Sequence, residues 1–251
     1  FAVQNSYGGT EGLKYLVNAC HQKKLAVILD VVYNHLGPEG NYLWDFAPYF
    51  TDKYKTPWGS AINLDDAYSD GVRNFFMENA IYWFQNYHLD ALRLDAIHTI
   101  YDRSAQPFLG ELSKKVGQYS RHVGRKLYLI GESDLDDPRV IKPEELGGMG
   151  LDAQWNDSFH HALHTLLTGE QYGYYVDFGL VEHLRKALQE GYTYSGQYSF
   201  FRKRKHGMSS QDCPGWKFVV FSQNHDQIGN RMLGERLSQL VSWESLKLAA
   251  A

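Results

Sequence analysis

The stretch LDALRLDAIH, residues 89 to 98, governs the reading of this chain. It opens as an apolar run and carries Arg93 and Asp95 two positions apart. On a strand, residues i and i+2 point to one face, so these two side chains are expected side by side. A guanidinium beside a carboxylate favours its charged form, which suits a nucleophile; an ordinary ion pair at a strand end is the plain alternative.

Outward from that stretch, strands alternate with helices. LAVILDVV (25–32) is nearly all apolar, as in a parallel sheet covered on both faces. LYLIGES (127–133), LDAQW (151–155) and KFVVFSQ (217–223) read as further strands. A helix is expected from Thr10 as N-cap, with Leu13, Leu16, Val17 and Cys20 at helical spacing. Ser69 or Asp70 caps a second, with Val72, Phe75, Phe76, Ala80, Trp83, Phe84 and Tyr87 on one stripe. Others fall near 104–118 (Phe108, Leu109, Leu112, Val116), after residue 155 (Phe159, Leu163, Leu166, Leu167), near 180–190 and near 236–250. Residues 36–69 read as a long loop insertion and 192–216 as an irregular stretch. No repeat or linker appears, so 1–251 is taken as one domain, and the repeated βα units argue for a parallel α/β fold.

Composition narrows the function. Lys and Arg number 25 against 29 Asp and Glu, a net charge of −4 with no basic excess, so a nucleic-acid or anionic-membrane role is unsupported. No apolar run approaches the roughly 18 residues of a spanning helix, and no signal-peptide pattern is present. Cys20 and Cys213 make no disulfide framework and fit a reducing, cytoplasmic compartment. Aromatics are abundant enough to stack on sugar rings, though most belong to core or groove. The chain begins at Phe1 and stops at SLKLAAA within a helical pattern, so it is expected to be a natural or tailored piece of a longer protein.

Polar residues collect at the strands' C-terminal ends: Asp30 to His35, Arg93 with Asp95, Glu132, Asp152 to Asp157, and His225 with Asp226. Carboxylates on separate strand ends suit retaining glycoside hydrolysis, in which one attacks the anomeric carbon and another protonates the leaving oxygen. Glu132 follows an apolar run with no cation beside it in sequence, which makes it the acid; Asp95, beside Arg93, is the nucleophile. Asp226 would orient hydroxyls and support the oxocarbenium-like transition state. Two other classes compete. One is a metal-dependent barrel hydrolase using Asp30, His35, His225 and Asp226, against which no His-x-His pair is present. The other is a non-catalytic glucan-binding remnant.

Plainer roles fit several residues. His160, His161 and His164 share helical spacing but no Glu completes HExxH, so they are expected to fill the helix face or lean toward a cleft. FRKRKHG (201–207) reads as a solvated loop. Trp44, Trp58 and Trp155 serve as packing or as sugar platforms, and Tyr33 as groove lining.

DVVYNH (30–35), LRLDAIH (92–98), GES (131–133) and QNHDQ (223–227) resemble, in order, the four motif regions of the α-amylase family of glycoside hydrolases. NSYGGTEGLKYLVNACH, NHLGPEGNYLWDF, ESDLDDPR, LDAQWNDSFHHALH and FSQNHDQIGNR resemble the trehalohydrolase group within it. The resemblance implies a (β/α)8 TIM barrel, incomplete here, with about strands three to seven present. Strands one, two and eight, an N-terminal β-sandwich and a C-terminal domain would lie elsewhere. It implies Asp95 as nucleophile, Glu132 as general acid/base and Asp226 as transition-state stabiliser. Arg93, His35 and His225 would hold the sugar at the cleaved position, Asp30 would orient Arg93, and His98 and Asp157 would contact substrate. One departure concerns His98: many amylases carry a Lys–His pair three and four positions after the nucleophile, where this chain has His98 and Thr99. Asn34 matches a calcium ligand of many amylases, but this group is not expected to need calcium, and no cofactor is expected. The substrate implied is maltooligosyl trehalose or a related α-glucan, cleaved at the α-1,4 bond next to its terminal trehalose; the same residues would suit a glucan branching enzyme. Without the missing strands the barrel would keep open edges, so the isolated piece is expected to be unstable or inactive, and measured turnover by it would overturn this.

Overall fold

A computed structural model describes residues 1–251. The chain forms two compact units, Phe1–Ser133 with Arg139–Ala153, and Asp134–Pro138 with Gln154–Ala251.

In the first unit, α1 (Gly9–Gln22) leads to β1 (Ile28–Val31), then to β2 (Phe50–Thr56) and β3 (Gly59–Ile62). There follow α2 (Ser69–Tyr87), β4 (Ala91–Leu94), α3 (Phe108–Val123) and β5 (Tyr128–Gly131). β4 lies between β1 and β5, parallel to both, and all four of its residues are buried. β1 is not covered on both faces as its apolar sequence suggests: Ile28 within it is 53% exposed, and Leu25, ahead of it in the expected strand, 57%. Within this unit only β4 pairs with it, which leaves its other edge open.

The expected loop 36–69 instead contains the antiparallel hairpin β2–β3, turned at Pro57–Trp58 and irregular between Thr51 and Lys55. Phe50, Ala61, Ile62 and Leu64 are buried, and that apolar content gives the insertion its own structure. Helix starts also differ from the sequence reading. Gly8, at φ 98, precedes α1 in place of a Thr10 cap, and Tyr68, at φ 63, precedes α2. α3 begins after Pro107 because Asp102 organises the preceding turn, accepting from Ser104 N and Phe108 N.

α2 buries Val72, Phe76, Met77, Ala80, Trp83 and Phe84. Tyr33 joins this core rather than a groove: it is 2% exposed and its hydroxyl donates to Asn79 Oδ1 at 2.6 Å. Arg73, also buried, spends its guanidinium on Asp102, Glu111 and the carbonyls of Leu64 and Gln106. That full satisfaction is what a buried cation requires.

The second unit begins within β6 (Ala153–Trp155), followed by α4 (Asp157–Thr168) and α5 (Val181–Glu190). Asn156 caps α4 by accepting from Phe159 N, and its amide donates to Gly191 O. The stretch read as irregular carries a hairpin, β7 (Ser195–Ser199) with β8 (Arg204–Gly207). Asp177 holds its turn, accepting from Tyr194, Ser199, Phe200 and Phe201. Only Phe218–Val219, β9, pairs from the expected strand 217–223; it runs parallel to β6. Three short helices follow: α6 (His225–Gly229), α7 (Leu237–Leu240) and α8 (Trp243–Ala250). The last two replace one expected helix because Ser242 caps a new start, accepting from Ser245 N. No helix is long and apolar enough to cross a membrane.

Candidate active site

The parallel register puts chemistry at three adjacent strand ends of the first unit. Asp30 on β1 is level with Arg93 on β4, and Leu94 is level with Gly131 on β5. The ladder continues one residue further, with Asp95 N donating to Val31 O and Glu132 N to Leu94 O, both at 3.0 Å. Asp30, Asp95 and Glu132 therefore converge on one guanidinium. Arg93 Nη1 lies 2.7 Å from Asp30 and 2.9 Å from Asp95, and Nη2 lies 2.8 Å from Glu132. Arg93 is buried; burial opposes its charge, but the bond to Asp30 and the charges of Glu132, Asp30 and Asp95 prevail, raising its pKa above the ordinary arginine value.

This geometry corrects one inference from the sequence. Glu132 was separated from Asp95 by lacking a neighbouring cation, yet the fold supplies it with the same cation. Its second oxygen accepts from Ala96 N at 2.8 Å. Ala96, directly after Asp95, sits in the left-handed region at φ 40, which aims that N–H at Glu132. Gly131 has a steric reason: a Cβ there would meet Ile97 and Leu151 side chains at 2.8 and 2.9 Å.

His35 stacks on Trp58 at the tip of the β2–β3 hairpin, centroids 4.1 Å apart and planes 10° from parallel. Burial holds its imidazole below the ordinary histidine pKa, with the charge of Asp95 opposing. Trp58 thus packs on a candidate site residue, while Trp44 stacks on Phe50. Sequence reasoning missed the stack; Pro57–Trp58–Gly59 as a hairpin turn was the available signal. His98 lies half-buried in the 3₁₀ turn Ile97–Thr99. Asn34 is buried and donates to Thr99 Oγ1.

Three candidates belong to the second unit. Asp157 is the first residue of α4, and His225 and Asp226 open α6, with 3.4 Å between His225 Nε2 and Asp226 Oδ1. Trp155 packs against Phe221 and, edge-on, against His225. The three α4 histidines sit in an aromatic nest: His164 stacks on Tyr175 and His161 on Tyr174. No group of three or more His, Cys, Asp or Glu side chains is arranged to hold a metal ion. FRKRKHG is not simply a solvated loop, since Arg202 binds Asp134 and His206, and residues 204–207 form β8.

Parallel strands whose C-terminal ends gather carboxylates around an arginine are the arrangement of a barrel-type α/β enzyme. Residues 1–57 match the alpha amylase catalytic domain family. Malto-oligosyltrehalose trehalohydrolase of Saccharolobus solfataricus is 54% identical over all of this chain and 44% of its own length. A 1,4-alpha-glucan branching enzyme of Bacillus caldolyticus is 33% identical over 62% of the chain and 25% of its own length. A crystal structure of a Salmonella typhimurium protein named as an alpha amylase superposes with a TM-score of 0.86 at 40% identity, over 95% of this chain and 41% of that one. Over its whole length the chain is similar to the malto-oligosyltrehalose trehalohydrolases, and its fold is of the α/β TIM-barrel type. It spans less than half the length of the curated relatives that match it end to end.

Proposed function

We propose that the protein carrying this segment is a retaining α-glucan hydrolase that cuts the α-1,4 bond beside the terminal trehalose of maltooligosyl trehalose, releasing trehalose. The segment would supply about strands three to seven of a (β/α)8 barrel, in a cytoplasmic enzyme needing no cofactor. The observation that carries the reading is the single guanidinium of Arg93 bound to both Asp95 and Glu132. Retention needs two carboxyl groups close enough to act on one glycosidic bond, about 5 Å apart.

Asp95 attacks the anomeric carbon while Glu132 gives its proton to the departing trehalose oxygen. In the glycosyl-enzyme Asp95 is an uncharged ester, so Glu132 has the guanidinium with one competitor fewer and its ionised form is favoured. It then takes a proton from water, whose oxygen displaces Asp95 and restores both groups. Asp226 supports the oxocarbenium-like charge between these steps. Asp30 orients Arg93; Arg93, His35 and His225 hold the sugar at the cleaved position, with His98 and Asp157 as further contacts.

The branching-enzyme relative favours a second reading, in which a sugar hydroxyl replaces water and makes an α-1,6 branch. Incubating the full-length protein with maltooligosyl trehalose and with plain maltooligosaccharide decides between them. Free trehalose is expected; new branches without hydrolysis would favour the second reading. Asp95→Asn should lower turnover by on the order of 10⁴ or more, as removal of a covalent nucleophile does, while glucan binding persists. Wild-type turnover in that variant would remove Asp95 from the role.

A further inference from the structure

α6 is too short to hold a shape by itself, because forming a first helical turn costs more than so few hydrogen bonds return. It nevertheless carries His225 and Asp226, whose side chains are 61% and 47% exposed and lend it little packing. Besides Gln223, which accepts from Leu237 N, two anchors of the segment come from α4 and the turn after it. On the N-terminal flank, His160 Nδ1 lies 2.8 Å from Ser222 O, and its Nε2 lies 2.8 Å from the Tyr175 hydroxyl. A carbonyl only accepts, so Nδ1 carries the proton and Nε2 accepts from Tyr175. On the C-terminal flank, Arg231 makes a two-pronged pair with Glu170, at 2.9 and 3.0 Å. Glu170 follows Gly169, the C-cap of α4, and also binds His164 Nε2 at 2.8 Å. Arg231 draws the Glu170 carboxyl down to about 2, so the pair stays charged at any working pH.

Within the segment, Asn224 Oδ1 accepts from Asp226 N, and Gln227 Oε1 accepts from Asn224 N. Asn230 N closes the other end on Asp226 O at 2.8 Å. Asp226 is thus the centre of a short arch whose two feet, Ser222 and Arg231, stand on side chains from α4 and its following turn.

We propose that His160, Glu170 and Arg231 are positioning residues that clamp the 222–231 arch and so set where Asp226 and His225 point. His160 and His164 of the α4 pattern are then part of a mount for the neighbouring carboxylate. This rests on the reading of Asp226 as transition-state stabiliser. Arginine suits this place because its fork engages both carboxylate oxygens, which a lysine cannot do.

The test uses the full-length protein with maltooligosyl trehalose, in a double-mutant cycle of Glu170→Gln and Asp226→Asn. Misplacing a reacting group by about 1 Å can cost roughly 100-fold, so Glu170→Gln is expected to lower kcat by about 10- to 100-fold with KM little changed. On the Asp226→Asn background the further loss should be much smaller, because the clamp then acts only through His225. A folded Glu170→Gln variant within about twofold of wild-type kcat, or one that loses as much again on the Asp226→Asn background, overturns the clamp. Should Glu170→Gln not fold, Arg231→Lys keeps the charge, removes the fork and is judged by the same criteria. If Asp226→Asn itself retains wild-type turnover, the stabiliser reading falls and the clamp's purpose with it; if only Asp226→Asn is impaired, the clamp alone falls.

Discussion

The two units hold their acidic candidates by different means. In the first, Asp30, Asp95 and Glu132 stand on adjacent strand ends, and the parallel ladder sets their spacing. In the second, Asp226 stands on a five-residue helix anchored by side chains. A ladder positions a side chain with the same hydrogen bonds that stabilise the fold. An arch needs dedicated partners, each of which can be removed singly. The first arrangement should therefore fail only when its shared cation is lost, and the second should fail by degrees.

The largest effect expected from that contrast is at Arg93. Arg93→Met would leave three carboxylates around an apolar side chain, where like charges oppose one another's ionisation. Turnover by the full-length protein should fall by more than about 10³-fold, well beyond the clamp variants, since geometry and charge are lost together. Steady-state rates on maltooligosyl trehalose check this. A loss below about tenfold would mean that the ladder alone organises the carboxylates.

Legibility follows the same divide. Arg93 beside Asp95 could be read from sequence because the i, i+2 rule is local, and the βα alternation showed in apolar periodicity. The cation beside Glu132 could not, because strand register decides it. Trp58 over His35 required knowing that residues 50–62 fold into a hairpin. Glu170 and Arg231 are 61 positions apart, with nothing in either neighbourhood to pair them. Tyr33 looked like groove lining because it follows an apolar strand; its burial depends on Asn79, on a helix that sequence alone does not place against it.

The units should also part company on acidification. In the second, burial holds His160 and His206 at about 4 and His161 well below 6.5. Unfolded, each would take a proton near 6.5, so the stability they contribute is present above that value and lost as pH falls toward 4. His160 alone accounts for about 3 kcal/mol. Asp136 works the other way. Burial pushes it up to about 7, so its contribution is present below 3.8 and lost as pH rises through 7. His183 is lowered in the same sense, so four imidazoles stand against one carboxyl and the balance is a net loss. In the first unit His35 is lowered too, with the Asp95 charge opposing, while Asp65 and Asp90 are held below 3.8, so their contribution persists to lower pH. Hydrogen exchange, corrected for intrinsic rates, should show residues 157–183 losing protection between pH 6.5 and 4, before residues 72–94. Asp136→Asn should steepen that loss. Parallel loss in both units would contradict the contrast.

The smallest effect concerns the one strained step in the ladder's design. Ala96 at φ 40 costs about 1–2 kcal/mol for an L-residue, and glycine would adopt the same backbone freely. Against that gain, Ala96→Gly enlarges the conformational freedom of the unfolded chain, worth about 0.4–1 kcal/mol, and removes a buried methyl. The net change in stability should stay within about 1 kcal/mol, whereas Ala96→Val, with a branched side chain in the left-handed region, should destabilise clearly more. Denaturant unfolding of the full-length protein measures both. Because glycine retains the N–H that meets Glu132, Ala96→Gly should keep turnover near wild type. A large loss of rate without a loss of stability would mean that the rigidity of this turn, and not only its hydrogen bond, holds Glu132 in place.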